Sequence, residues 1–254
     1  MSLHIGIAAV SPEGAALFFQ TLSRHLGKQL DPGTDPQTHP RITLHSKPIG
    51  LYLRALERED WMTVSGLLRR SAEALHRAGA DFCLTPDHAI QHGVQVAQSG
   101  SPLPWLSMPE TVSEAMENAG VKRVGLVGTS WVTRGSVYQT LLGLRGIEVI
   151  VPPSEQAQQL DLIVFDELLY GRVEGRSRAV LQGVLDGLKA SGCEGVVVAS
   201  SEIPLLLSGL EAPLPIFDAS EILADAAARR SVEGGRSGDG TGRSGEPASG
   251  FHSG

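Results

Sequence analysis

Two short stretches of the chain hold side chains that could move a proton. LTPDHAIQH, residues 84–92, sets a carboxylate and an imidazole side by side at Asp87 and His88. ASSEIP, residues 199–204, sets two hydroxyls and a carboxylate in a row at Ser200, Ser201 and Glu202. Asp87 is a candidate general base, although a free aspartate pKa of about 3.9 makes it a weak one unless burial raises that value. The imidazole of His88, with an unperturbed pKa of roughly 6.5, is better matched to neutral pH. Ser200 is the harder case, because an unassisted hydroxyl is neither a good acid nor a good base near neutrality. It could bind a carboxylate, hydrogen-bond an enediolate or be a remnant, and no partner for it is evident along the chain. A structural role competes with chemistry at Asp87: as a helix N-cap it would contribute about 1 kcal/mol and nothing more. Capping and catalysis can coexist.

Other chemistries fit less well. A Ser-His-Asp hydrolase built from Ser200, His88 and Asp87 needs two adjacent residues to turn toward one another, and the glycines of a nucleophile elbow are missing around Ser200. His88 and His92 stand four apart and could share a helix face with Asp87 nearby, but the stretch matches no metal motif, so no metal site is expected. The only lysines, Lys28, Lys47, Lys122 and Lys189, lie in no cofactor-anchoring context. No cofactor is expected.

Both stretches follow apolar runs, and such runs alternate with helical patterns along the whole chain. IGIAAV (5–10), RITLHS (41–46), DFCLT (81–85), LPWLSM (103–108), RVGLVG (123–128), EVIVP (148–152), EGVVVA (194–199) and LPIFD (214–218) read as strands. Between them lie helical patterns: one with Leu17, Phe18, Leu22 and Leu26, one with Trp61, Val64, Leu68 and Leu75 that ends at Gly79, and others at SEAMENAG, 154–170 and 177–190. Ser11 is placed to cap the first helix, with Pro12 at its first position and Glu13 in its first turn. This alternation predicts an α/β fold of βαβ units with parallel sheets covered on both faces. Ligands of such sheets sit outside the carboxyl ends of the strands, near helix N-termini that favour anions. Asp87 and Ser200 both stand at such ends, in similar places of two similar halves, so they are expected to face one cleft.

Composition narrows the function classes. The chain has 254 residues, 41% of them hydrophobic, enough for one large α/β domain or two small ones. A formal charge of -7 supplies no basic stripe, so nucleic acid is not an expected partner. The two cysteines, Cys83 and Cys193, fall in or beside apolar runs and do not read as a disulfide framework. The opening MSLHIGIAAV lacks the basic region of a signal peptide, and no apolar run reaches the length of a membrane span, so a cytoplasmic protein is expected. Residues 231–254 are dominated by Gly and Ser and read as a disordered tail.

Six segments together resemble the aspartate/glutamate racemase superfamily: IGIAAVSPEGAALFF, HPRITLHS with EREDW, AGADFCLTPD, VKRVGLVGT, GCEGVVVASSEIPLLL and PLPIFDASEILADAA. Their order and spacing carry the resemblance over residues 3–230. It implies two pseudo-symmetric domains, each a parallel sheet flanked by helices, with the active site between them. The expected division is 1–108 plus 212–230 for the first domain and 109–211 for the second. Usual members invert an acidic amino acid without a cofactor, one cysteine removing the α-proton while a second supplies one to the other face. Here Pro86-Asp87-His88-Ala89 stands where the family has Pro-Cys-Asn-Thr, and Ala199-Ser200-Ser201-Glu202 where it has Gly-Cys-Thr-Glu. Both cysteine positions are therefore substituted, and Cys83 and Cys193 lie upstream of them. The resemblance marks Asp87, His88 and Ser200 as candidate catalytic residues and Ser11, Ala89, Thr129, Ser201 and Glu202 as candidate substrate contacts. Three functions follow: an isomerase at the α-carbon of a small amino acid or carboxylic acid, a one-base lyase or tautomerase, or a silent paralogue that binds a small carboxylate or a partner. A homodimer is implied by the resemblance alone.

Overall fold

The computed structural model describes residues 2–30, 35 and 39–238. In chain order the elements are β1 (Ile5–Ala9), α1 (Pro12–Gln29), β2 (Ile42–Ser46), α2 (Ile49–Leu56), α3 (Trp61–Arg77), β3 (Phe82–Leu84), α4 (Gln91–Gln98) and α5 (Met108–Asn118). They continue with β4 (Arg123–Gly128), α6 (Ser130–Thr133), α7 (Val137–Leu144), β5 (Glu148–Ile150), α8 (Ser154–Asp166), α9 (Gly175–Ala190), β6 (Gly195–Ala199), α10 (Pro204–Leu207), β7 (Ile216–Asp218) and α11 (Ala219–Gly238). The fold is α/β, with two parallel sheets flanked by helices. One sheet has the order β2-β1-β3 and the other β5-β4-β6-β7.

The two sheets repeat one another. In each, the first strand of its half lies in the middle: β1 between β2 and β3, β4 between β5 and β6. The chain leaves the central strand toward one neighbour and returns on the other side, which opens a crevice at the carboxyl ends of the central pair. β1 and β6 are buried along their full length, as strands covered on both faces should be. One core, with Ile5, Phe18, Leu22, Val124, Val197, Leu223 and Ala227, joins the facing sides of both sheets through α1, α5 and α11. Two outer cores close the far sides, one around Val64, Leu68 and Leu75 of α3 and the other around Leu160, Val184 and Leu188 of α8 and α9.

The structure departs from the expected elements where proline or glycine intervenes. LPWLSM (103–108) is no strand: it makes a single bridge, Cys83 to Trp105, and Met108 already begins α5. Pro102 and Pro104 have no N–H to give to a ladder, which limits the pairing to one step. The helical pattern over 154–170 breaks after Asp166 into one short 3-10 turn, Leu168–Tyr170, closed by Gly171 at φ 67°. Residues 212–230 are shared between the halves: β7 pairs with β6 in the four-stranded sheet, whereas α11 packs on α1 and α5. The tail reading is corrected at its start. α11 runs on through Ser231, whose backbone carbonyl accepts from Leu3 N–H at 2.9 Å, and reaches Gly238; residues 239–254 lie outside the described residues.

Close packing also fixes the helix that follows the first candidate turn. A Cβ at Gly93 of α4 would come within 2.4 Å of Val64 Cγ1 on α3. Gly93→Ala is therefore expected to cost about 1–3 kcal/mol by overpacking, and thermal denaturation should show a drop of several degrees. An unchanged melting temperature would mean that α4 does not bear on α3 as described.

Candidate functional site

Asp87 does not cap a helix. The chain stays irregular from Thr85 to Ile90, and α4 starts at Gln91 with no side-chain cap. The Asp87 carboxylate turns instead to the end of β1, where Oδ2 accepts the N–H of Val10 at 3.0 Å and Oδ1 that of Ser11 at 2.9 Å. Thr85 adds its hydroxyl to Oδ2 at 3.3 Å. Burial pushes the Asp87 pKa up to about 7, helped by the negative charge of Glu202 and opposed by hydrogen bonds from Ser11, Val10 and Thr85. A carboxyl so placed is divided between its two forms near neutral pH, as a proton-transfer group should be.

The second turn supplies the partner that Ser200 lacked in the sequence. Its Oγ donates to Glu202 Oε2 at 3.2 Å and accepts the N–H groups of Glu202 and Ile203, both at 3.3 Å. Glu202 is buried, and burial raises its pKa against the hydrogen bonds it receives from Ser11 and Ser200.

Ser11 and Ser201 bind the two turns together. Ser11 gives its N–H to Asp87, its O–H to Glu202 Oε1 at 2.6 Å, and its lone pair to Gly14 N–H at 3.1 Å as the cap of α1. Ser201 donates its hydroxyl to the carbonyl of Pro86 at 2.7 Å, directly across the crevice. The approach is close enough to require glycine at position 14, where a Cβ would lie 2.5 Å from Ser201 Cβ.

His88 and Thr129 are buried beside these groups with polar atoms unused. His88 Nδ1 lies 2.8 Å from the Tyr138 hydroxyl, whose oxygen is also 3.2 Å from Met108 Sδ. The contact fits two tautomers: Tyr138 donating to Nδ1 puts the imidazole proton on Nε2, whereas Nδ1–H donating to the tyrosine oxygen frees the tyrosine O–H for Met108 Sδ and leaves Nε2 an acceptor. In both, Nε2 has no partner among the described residues. Burial pushes the His88 pKa down to about 3, so the ring is neutral. Thr129, at the start of α6, likewise leaves its buried Oγ1 without a partner among the described residues.

All eight candidates, Ser11, Asp87, His88, Ala89, Thr129, Ser200, Ser201 and Glu202, line one cavity. Water can occupy about 70 Å³ of it, room for roughly two waters at about 30 Å³ each. The remaining wall is apolar and includes Ile49, Leu53, Trp131, Phe165 and Leu169. An adjoining cavity of about 300 Å³ shares His88, Ala89, Trp131 and Val132 and adds Glu59, His92 and Arg134. His92 packs edge-on against Trp61 with ring centroids 4.9 Å apart. Tyr138 and the apolar wall were not legible as site residues, because nothing in their own sequence context marks them.

With the geometry in place, the whole chain can be set beside known proteins. The family model described as Asp/Glu/Hydantoin racemase matches residues 7–227. The chain belongs to that family. A crystal structure of a candidate Asp/Glu racemase from Yersinia pestis is 25% identical, covers 91% of this chain and 100% of its own, and superposes with a TM-score of 0.78. An aspartate racemase homologue from Pyrococcus horikoshii is 23% identical, with coverage of 90% and 99% and a TM-score of 0.75. The Picrophilus torridus aspartate racemase shares 17% identity over 90% of this chain and 94% of its own, with a TM-score of 0.71.

In this Asp/Glu/hydantoin racemase family chain the two cysteines stand away from the site. Both are free and buried, neither lines the cavity, and burial pushes both thiols up, away from the thiolate form. Any proton transfer in the cavity falls to other groups. No helix among the described residues is long and apolar enough to cross a membrane.

Proposed function

We propose that this protein is a cofactor-independent isomerase-type enzyme that moves a proton at the α-carbon of a small amino acid or related carboxylic acid, with carboxyl groups in place of thiols. One observation carries the reading: two buried carboxyls, Asp87 and Glu202, arrive on separate turns, meet at one cavity and are joined through Ser11. Like charges so placed do not both ionise readily, so the pair holds one proton between pH values where isolated carboxyls would hold none. Asp87, ionised, takes the α-proton from one face. Ser200 passes its proton to the opposite face while Glu202, in its acid form, returns one to the serine oxygen. Negative charge that develops on the substrate carboxylate is met by the hydroxyl of Thr129 and, in the tautomer whose Nδ1 accepts from Tyr138, by Nε2–H of His88, both away from bulk water. Ser201 and Gly14 keep the two turns at working distance.

The hydrogen bonds that already occupy both Asp87 oxygens support a second reading, in which only the Ser200–Glu202 side transfers protons and the reaction is one-sided. Single enantiomers incubated in deuterated water distinguish the two by NMR. Loss of α-proton exchange in both Asp87→Asn and Ser200→Ala supports a two-faced site. Exchange that survives one of the two supports one-sided chemistry. Absence of exchange in the wild type, together with ligand-induced thermal stabilisation, would leave a binding protein and end the catalytic reading.

A further inference from the structure

The cavity lining is of two kinds. The polar residues come from the turns after β1, β3, β4 and β6, and the apolar ones include Ile49 and Leu53 of α2, Trp131, and Phe165 and Leu169 at the close of α8 and just beyond it. No lysine or arginine among the described residues lines it. The ionisable groups that face it are the carboxyls of Asp87 and Glu202 and the neutral imidazole of His88. A ligand with two carboxylates would set its second anion against buried acids or an aliphatic wall, with no cation to pair. An unpaired charge in such surroundings is among the costliest things a protein can bury. One carboxylate, by contrast, has the Thr129 hydroxyl and, in the tautomer whose Nδ1 accepts from Tyr138, His88 Nε2–H, both buried and unpartnered among the described residues. A ligand ammonium has Asp87 and Glu202.

We infer that the substrate of this site is a small α-amino acid with an uncharged, apolar side chain, bound as its zwitterion, and that aspartate and glutamate are not substrates. The inference rests on the reading of the cavity as the reaction site and adds the class of molecule that enters it. The side chain lies against Ile49, Leu53 and Phe165, the carboxylate between His88 and Thr129, and the ammonium toward the acids. The volume, about 70 Å³ of water-accessible space, restricts the ligand to a small molecule; the choice between apolar and acidic side chains rests on the lining. The nearest rival is Arg134, which lines the adjoining cavity and would attract a side-chain carboxylate long enough to reach it.

The test uses the full chain with L-alanine, L-valine, L-leucine, L-aspartate and L-glutamate, following α-proton loss in deuterated water and thermal stabilisation by each amino acid separately. The apolar amino acids are expected to exchange at least about tenfold faster than the acidic ones and to stabilise the protein more. Leu53→Arg, a change at a half-exposed wall position, should narrow that ratio by about tenfold. Aspartate or glutamate exchanging or stabilising as well as the apolar set would overturn the inference, and loss of that activity in Arg134→Gln would identify the rival as its cause. If the apolar amino acids stabilise the protein but none exchanges, the ligand class stands and the proposed reaction falls. If they do neither, the ligand class is wrong.

Discussion

Asp87→Asn is expected to lower α-proton exchange by about 10²–10⁴-fold, the range over which a positioned general base contributes. The same change should also weaken the fold. The carboxylate accepts from both Val10 and Ser11 N–H, whereas an asparagine has one acceptor oxygen and would point its NH₂ at one of those donors. A buried N–H left in that state costs about 1–3 kcal/mol. The pH dependence separates this role from an ordinary structural ion. Native Asp87 holds its proton up to about pH 7, while the unfolded chain releases it near pH 4. Between those values the native state binds more protons, so the contribution of Asp87 to stability falls as pH rises through the window. The deficit of Asp87→Asn relative to the wild type, measured by urea denaturation, should therefore shrink from pH 5 to pH 8. A deficit that grows over that range would mean that the hydrogen bonds outweigh burial, and Asp87 would be too weak a base for the proposed role.

Glu202→Gln is the second large expected effect, and it reads the coupling of the two acids. Glutamine keeps the shape but an oxygen for only one of the two hydroxyls, Ser11 on Oε1 or Ser200 on Oε2, and the other must turn to accept from the amide NH₂. What disappears is the acid that backs Ser200 when the shared proton sits on Glu202, and the negative charge that lifts Asp87 when it sits on Asp87. Exchange is expected to fall by about 10²-fold or more. The activity that remains should rise with pH from a lower value than in the wild type, because Asp87 ionises more easily without a charged neighbour. A pH–rate profile checks both parts. If rate and profile match the wild type, the two carboxyls do not act as a pair.

How much of this was legible beforehand depends on the range of the interactions involved. The apolar run at residues 5–10, the serine cap that follows, and the apolar positions Phe18, Leu22 and Leu26 at helical spacing are local patterns, and the structure places them in β1, at Ser11 and in α1. The two turns could be singled out because each follows a buried strand, and strand ends are where an α/β sheet exposes chemistry. LPWLSM failed as a strand because its apolar content was counted without Pro104 inside it and Pro102 just before it. The role of Asp87 as a cap failed for a different reason: the donors it serves lie 76 and 77 residues away.

Local sequence determined the α/β class, the order of the elements and the two turns at which reactive side chains could gather, because backbone preference and hydrophobic period act over a few residues. Only the tertiary structure decided what those side chains do to one another. Packing brought Glu202 to Ser11 over 191 positions of chain and Tyr138 to His88 over 50. It also removed the water that would have left Asp87 an ordinary acid. Hydrogen bonds and buried charges depend on distance in space, and that distance exists only once the two sheets have closed on their shared core.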